Sequence, residues 1–178
     1  MKETDMNEIE KRVYHHFKSG FHCSEVVLKT ILDMYDDASH ENLIRLASAF
    51  GGGIGGSMED HCGAFTGGVL STGFFLGREN PGEELSKSKM MISEFKEKFI
   101  DTFGHLNCAA LRKSFGDEGQ MGCVRVTMEA TKMMATLLDE YEVGKPDSSE
   151  ISTIEPYVKV NSGACPFSGG CSSDGCSN

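Results

Sequence analysis

The stretch Ser57-Met-Glu-Asp-His-Cys-Gly-Ala-Phe-Thr-Gly-Gly-Val-Leu-Ser-Thr-Gly-Phe-Phe-Leu76 carries the reading of the fold. Ser57 stands three residues before Asp60, the Ser-x-x-acid spacing of a helix N-cap. Behind it Cys62, Phe65, Val69, Thr72 and Leu76 fall at i, i+3, i+7, i+10 and i+14, one stripe of a helix. Five glycines lie between positions 63 and 77, and each costs about 1 kcal/mol against alanine in an exposed helix. Packing rather than propensity must therefore hold this helix. Gly63, Ala64, Gly67, Gly68 and Ser71 are small enough to let neighbouring helices come close.

Helical spacing continues in both directions. Upstream, Gly51-Gly-Gly-Ile-Gly-Gly56 breaks a helix expected over 41–50, with Leu43, Ile44, Leu46 and Ala47 inward. Before it, Ile9, Val13 and Phe17 mark one amphipathic helix, and Val27, Leu28, Ile31, Leu32 and Tyr35 mark a second that opens at Ser24-Glu25. Downstream, a turn at Asn80-Pro81-Gly82 leads into a helix over 83–103, with Ile92, Phe95, Phe99 and Phe103 on one stripe. Asn107 is placed to cap a short turn holding Cys108, Leu111 and Arg112. A last helix over 123–141 buries Val124, Met128, Thr131, Ala135 and Leu138. Only residues 155–160 hint at a strand. The expected fold is all-α: a compact bundle of about five or six helices over residues 1–143, with an irregular Gly/Ser/Cys-rich tail over 144–178.

The chain has 178 residues and a formal net charge of −10, from 27 acidic and 17 basic side chains. That balance disfavours nucleic acid and anionic membrane as partners, since both select a basic face. No apolar run approaches the ~20 residues that cross a bilayer, and the polar, acidic start is unlike a secretory signal. The expected address is cytoplasmic. There, seven cysteines read as ligands or redox groups rather than structural disulfides.

Four of them, Cys23, Cys62, Cys108 and Cys123, each stand at or near an expected helix start. Free N–H groups and the positive end of the helix dipole stabilise a thiolate there, the species that metal binding and thiol exchange both need. The competing reading is that cysteine is a small buried hydrophobe. The tail cysteines Cys165, Cys171 and Cys176 match no standard metal clip, yet the glycines and serines around them would let three sulfurs converge on one ion. His61 adjoins Cys62, but adjacent helical residues point about 100° apart, so it reads as a surface residue; His22 beside Cys23 has a minor claim as a ligand. Glu59 and Asp60 read as first-turn acids. Methionines such as Met90, Met91 and Met134 read as core filler. Gly51, Gly53 and Gly56 satisfy Gly-x-Gly-x-x-Gly formally, but a helix precedes them instead of a strand. The loop is better suited to bringing backbone N–H groups close to the Cys62 site.

Cys62-Gly-Ala-Phe-Thr-Gly67, following a glycine-rich loop, with one cysteine upstream and two downstream, resembles the redox-active C_GCAxxG_C_C family over roughly residues 5–143. The family label writes Gly-Cys-Ala where this chain reads Cys-Gly-Ala, which we take as the same element. Matched by position, the family's four cysteines fall on Cys23, Cys62, Cys108 and Cys123. The resemblance implies a small redox-active protein. A similar domain in split-Soret cytochromes accompanies haem and an iron–sulfur centre; this chain lacks Cys-x-x-Cys-His, so c-type haem is not expected.

Three functions follow as expectations. The first is electron transfer through an iron–sulfur cluster on those four cysteines, serving a redox partner protein as an oxidoreductase or electron-transfer component. The second is metal-free thiol–disulfide chemistry. The third is a zinc-stabilised helical module that binds a partner. The glycine-lined helix would also suit a homodimer contact.

Overall fold

A computed structural model describes residues 3–36, 40–116 and 119–143. In chain order the elements are α1 (Glu3–Lys18), α2 (Cys23–Tyr35), α3 (Glu41–Ala47) running into a 3-10 turn (Ser48–Phe50), α4 (Gly63–Leu76), α5 (Ser86–Phe103), α6 (Cys108–Ser114) and α7 (Gln120–Glu140). No strand occurs among the described residues, and none of their helices is long and apolar enough to cross a membrane. The fold is all-α. Cys165, Cys171, Cys176 and the hinted strand at 155–160 lie outside the described residues.

Seven α-helices are described where five or six were expected. The difference is α6. Asn107 Oδ1 accepts a hydrogen bond from Ala110 N–H at 3.0 Å, and this cap turns the expected short turn into a seven-residue helix.

Helix α4 packs against α2, α5 and α7, and its glycines explain how. A Cβ at Gly67 would lie 2.6 Å from the carbonyl oxygen of Ser24, and one at Gly68 would lie 2.5 Å from the Phe95 ring. Two faces of α4 are thus shaved to backbone, one for α2 and one for α5. Between α4 and α5 the Phe65 and Phe95 rings stack at 5.4 Å, and Phe99 meets both edge-on. Such pairs contribute about 0.5–1.5 kcal/mol each beyond the area they bury. Tyr35 ties α2 to the far end of α7, its hydroxyl donating to the carbonyl oxygen of Ala135 at 2.8 Å and bonded to Asp139 Oδ1 at 2.7 Å.

Several local expectations shift. Ser57 caps no helix: its hydroxyl donates to the carbonyl oxygen of Gly53 and accepts from Glu59 N–H at 3.2 Å. The chain stays irregular until Cys62, the N-cap of α4, so Glu59 and Asp60 precede the helix rather than line its first turn. Leu46 is exposed instead of inward, because Ile44 and Ala47 form the buried side of α3. On α5 the buried stripe is Met91, Phe95 and Phe99, with Ile92 only half-buried and Met90 exposed. Met91 and Met134 are core residues, as expected.

Candidate functional site

The chain between the glycine loop and α4 runs antiparallel to the segment that leads into α6. Ala109 N–H donates to the Met58 carbonyl and Cys108 N–H to the Asp60 carbonyl, both at 2.8 Å, while Cys62 N–H donates to the Leu106 carbonyl at 2.7 Å. His61 and Asn107 form the bridge between them, and Asn107 Nδ2 also donates to the Glu59 carbonyl. Backbone pairing therefore carries Cys62 to Cys108, 46 positions away in the sequence.

A second close approach brings in Cys23. A Cβ at Gly63 would stand 2.3 Å from Cys23 Sγ, so only glycine lets α4 seat its first turn on that sulfur. The start of α2 is fixed by Ser24, whose hydroxyl donates to the Ala47 carbonyl at 2.8 Å. Glu25 adds to this by accepting from His22 N–H at 2.8 Å and from the Ser48 hydroxyl at 2.6 Å. The glycine loop closes the other side. Gly52, at φ +63°, gives its N–H to the Cys23 sulfur. A Cβ at Gly53 would lie 2.9 Å from Cys108 Cβ. The loop was expected to serve the Cys62 site; its contacts are with Cys23 and Cys108, which line one cavity with Cys62.

Cys123 enters from α7. The helix begins three residues earlier than expected, at Gln120, so Cys123 closes its first turn rather than opening the helix. Arg112 of α6 lies beside this cysteine and draws the pKa of its thiol downward, against burial. All four cysteines line one half-open cavity of about 380 Å³, together with His22, Arg112 and the side chains of Phe17, Phe21, Leu111 and Phe115. Cys62 and Cys108 are buried, Cys23 and Cys123 are partly exposed, and all four are free thiols.

The electrostatics single out one sulfur. Cys23 is lowered from 9.0 to about 6, chiefly by the hydrogen bond from the Cys62 thiol and then, against burial, by the N–H groups of Gly52 and Ser24. Cys62 is pushed up because it donates that bond, is buried, and faces the Cys23 charge. Burial also raises Cys108, followed by the charges of Cys23 and Cys123. Cys123 is raised by burial and held back by Arg112. Helix N-termini were expected to favour thiolates at all four; instead the bond it donates raises Cys62, and burial raises Cys108 and Cys123.

Among the described residues no three His, Cys, Asp or Glu side chains stand close enough to share one metal ion. A tetrahedral zinc with Zn–S bonds of ~2.3 Å needs its sulfurs within about 3.8 Å of one another.

Of the other expected residues, His61 is exposed and stacks on Phe65 at 5.9 Å instead of facing a thiol. His22 does line the cavity. Asp60 serves the site through its main-chain carbonyl, not its carboxylate. Sequence reading missed Arg112 as part of the site. Its position four residues after Cys108, on the same face of one helix, was the available signal. The aromatic wall from Phe17, Phe21 and Phe115 carried no such signal, since each reads as ordinary core.

A family model described as "Putative redox-active protein (C_GCAxxG_C_C)" matches residues 21–137, about two-thirds of the chain. No curated protein and no solved structure matches it. The matched span begins just before Cys23 and ends beyond Cys123, so it includes every cysteine that lines the cavity. On the extent of that match, the chain belongs to the C_GCAxxG_C_C family.

Proposed function

We propose that this chain is an electron-transfer protein whose cavity holds an iron–sulfur cluster on Cys23, Cys62, Cys108 and Cys123. The observation that carries the reading is the convergence of four thiols, from four separate helices, on one cavity of about 380 Å³. That volume exceeds the needs of a single ion, and thiolates are the ligands iron–sulfur clusters take. When bound, the cluster would supply a one-electron redox couple. The chain's own residues have the complementary tasks. Gly52 and Ser24 direct N–H groups at the Cys23 sulfur, and such bonds favour added negative charge. Phe17, Phe21 and Phe115 limit water on one side.

The test is anaerobic purification of the full chain, with the visible spectrum recorded beside iron, zinc and acid-labile sulfide per chain. Broad visible absorption that bleaches with dithionite, with iron and sulfide in matching amounts, supports the reading. Serine at any of the four positions should then lower the iron content. Absence of iron and sulfide after anaerobic reconstitution would sink it.

A second reading rests on the hydrogen bond between Cys62 and Cys23, with Cys23 lowered to about 6. A thiolate beside a protonated thiol is the arrangement that attacks and then resolves a disulfide. Peptide mapping after mild oxidation should find Cys23 joined to Cys62 if this reading holds. The zinc-stabilised module is a third reading of the same four thiols. Measured zinc decides it.

A further inference from the structure

The cavity holds more than the cysteines require. Its volume, about 380 Å³, falls within the range of about 300–1,000 Å³ typical of small-molecule sites. One wall is apolar, formed by Phe17, Phe21, Leu111 and Phe115. None of the described lining residues is acidic, although the chain carries a net charge of −10. One permanent cation lines it, Arg112, solvent-exposed and near enough to Cys123 to act on its thiol. A guanidinium has five N–H donors in a planar fork that matches a carboxylate. Those donors can meet a ligand in the cavity.

We infer that the cavity binds a small organic anion, its carboxylate or similar oxyanion on Arg112 and its apolar body against the phenylalanine wall beside Cys123. The site selects by charge at the mouth and by shape within. The site so described is that of the reduced, cluster-free chain, since the ligand and a cluster on Cys123 would share one cavity. Arg112 here is a positioning residue, since it orients the ligand against Cys123.

Two alkylating agents of similar size test this on the reduced, chelator-treated full-length chain: anionic iodoacetate and neutral iodoacetamide. Rates at Cys123 are read by peptide mapping and referred to N-acetylcysteine. The iodoacetate-to-iodoacetamide ratio should fall about fivefold in Arg112→Gln, the worth of one partly exposed charge pair, and recover in part in Arg112→Lys. In the unaltered protein, phenylacetate should slow alkylation of Cys123 by iodoacetamide, and phenylacetamide should not. This arm needs no variant to fold. An unchanged ratio in a folded Arg112→Gln protein, or equal protection by phenylacetate and its amide, overturns the inference. Neither outcome depends on whether iron is found, so failure of the cluster reading would be seen separately.

Discussion

Beside Cys23 Sγ there is room for hydrogen only, and Gly63 supplies it. A methyl group there would stand 2.3 Å from the sulfur. Gly63→Ala should therefore cost about 1–3 kcal/mol, as overpacking does, and should disturb the thiol of Cys23 with it. Gly73, in the same helix, is the control: a Cβ there meets nothing within 4 Å. Gly73→Ala should stabilise by about 0.5–1 kcal/mol. Chemical denaturation of the two variants measures both signs at once. Cys23 itself makes a pH prediction. In the metal-free, reduced protein one thiolate should appear near pH 6, followed by its absorbance at short ultraviolet wavelength, and Cys23→Ser should abolish the step. Because Cys23 is lowered from 9.0 to about 6, the unfolded chain binds the extra proton between those values, and stability rises with pH across that window. As pH falls through 6 the contribution is lost. Above 9.0 the raised Cys62 reverses the slope, since the unfolded chain then releases a proton that the folded one keeps. A pH series of denaturation midpoints would show a maximum; a flat profile would refute the Cys23–Cys62 coupling.

Among the elements, α6 has the least to hold it and the most to position. Its seven residues are too few to be stable alone. The Asn107 cap and the pairing of 106–109 with 58–62 supply what propensity cannot. Asn107→Ala should cost about 1 kcal/mol. It should also raise the alkylation rate of Cys108, now buried, by loosening the segment that seats it. A stable protein with Cys108 still protected would show that the backbone pairing suffices without the cap. The α4 helix is the opposite case. It is rich in glycine and buried on nearly every side, so its existence depends on α2, α5 and α7 being in place.

At the scale of the molecule the four cavity thiols belong to α2, α4, α6 and α7, or to the residue that caps them. A group bound by all four would tie those helices together and stabilise the folded state by mass action. On the proposed function, the thermal midpoint should rise on reconstitution and fall back on chelation. Each cysteine-to-serine variant should lose most of that difference while unfolding near the midpoint of the metal-free protein. A midpoint indifferent to metal would count against a shared site.

Helical period alone was enough for the all-α class, since no described segment alternates with strand spacing and each apolar stripe found a helix to lie on. The four cysteines that line the cavity each sit close to a break in a helical pattern, but that they share one cavity was not in the pattern. Helix starts were less so: Ser57 has the local chemistry of a cap, yet long-range pairing of 58–62 with 106–109 draws that segment out of the helix. Arg112 and the phenylalanine wall became part of the site only when α1, α6 and α7 met. Local sequence determines period, caps and breaks, which depend on neighbours a few residues away. Which thiol is ionised depends on burial and on a hydrogen bond between Cys23 and Cys62, 39 positions apart, and those exist only once the helices pack.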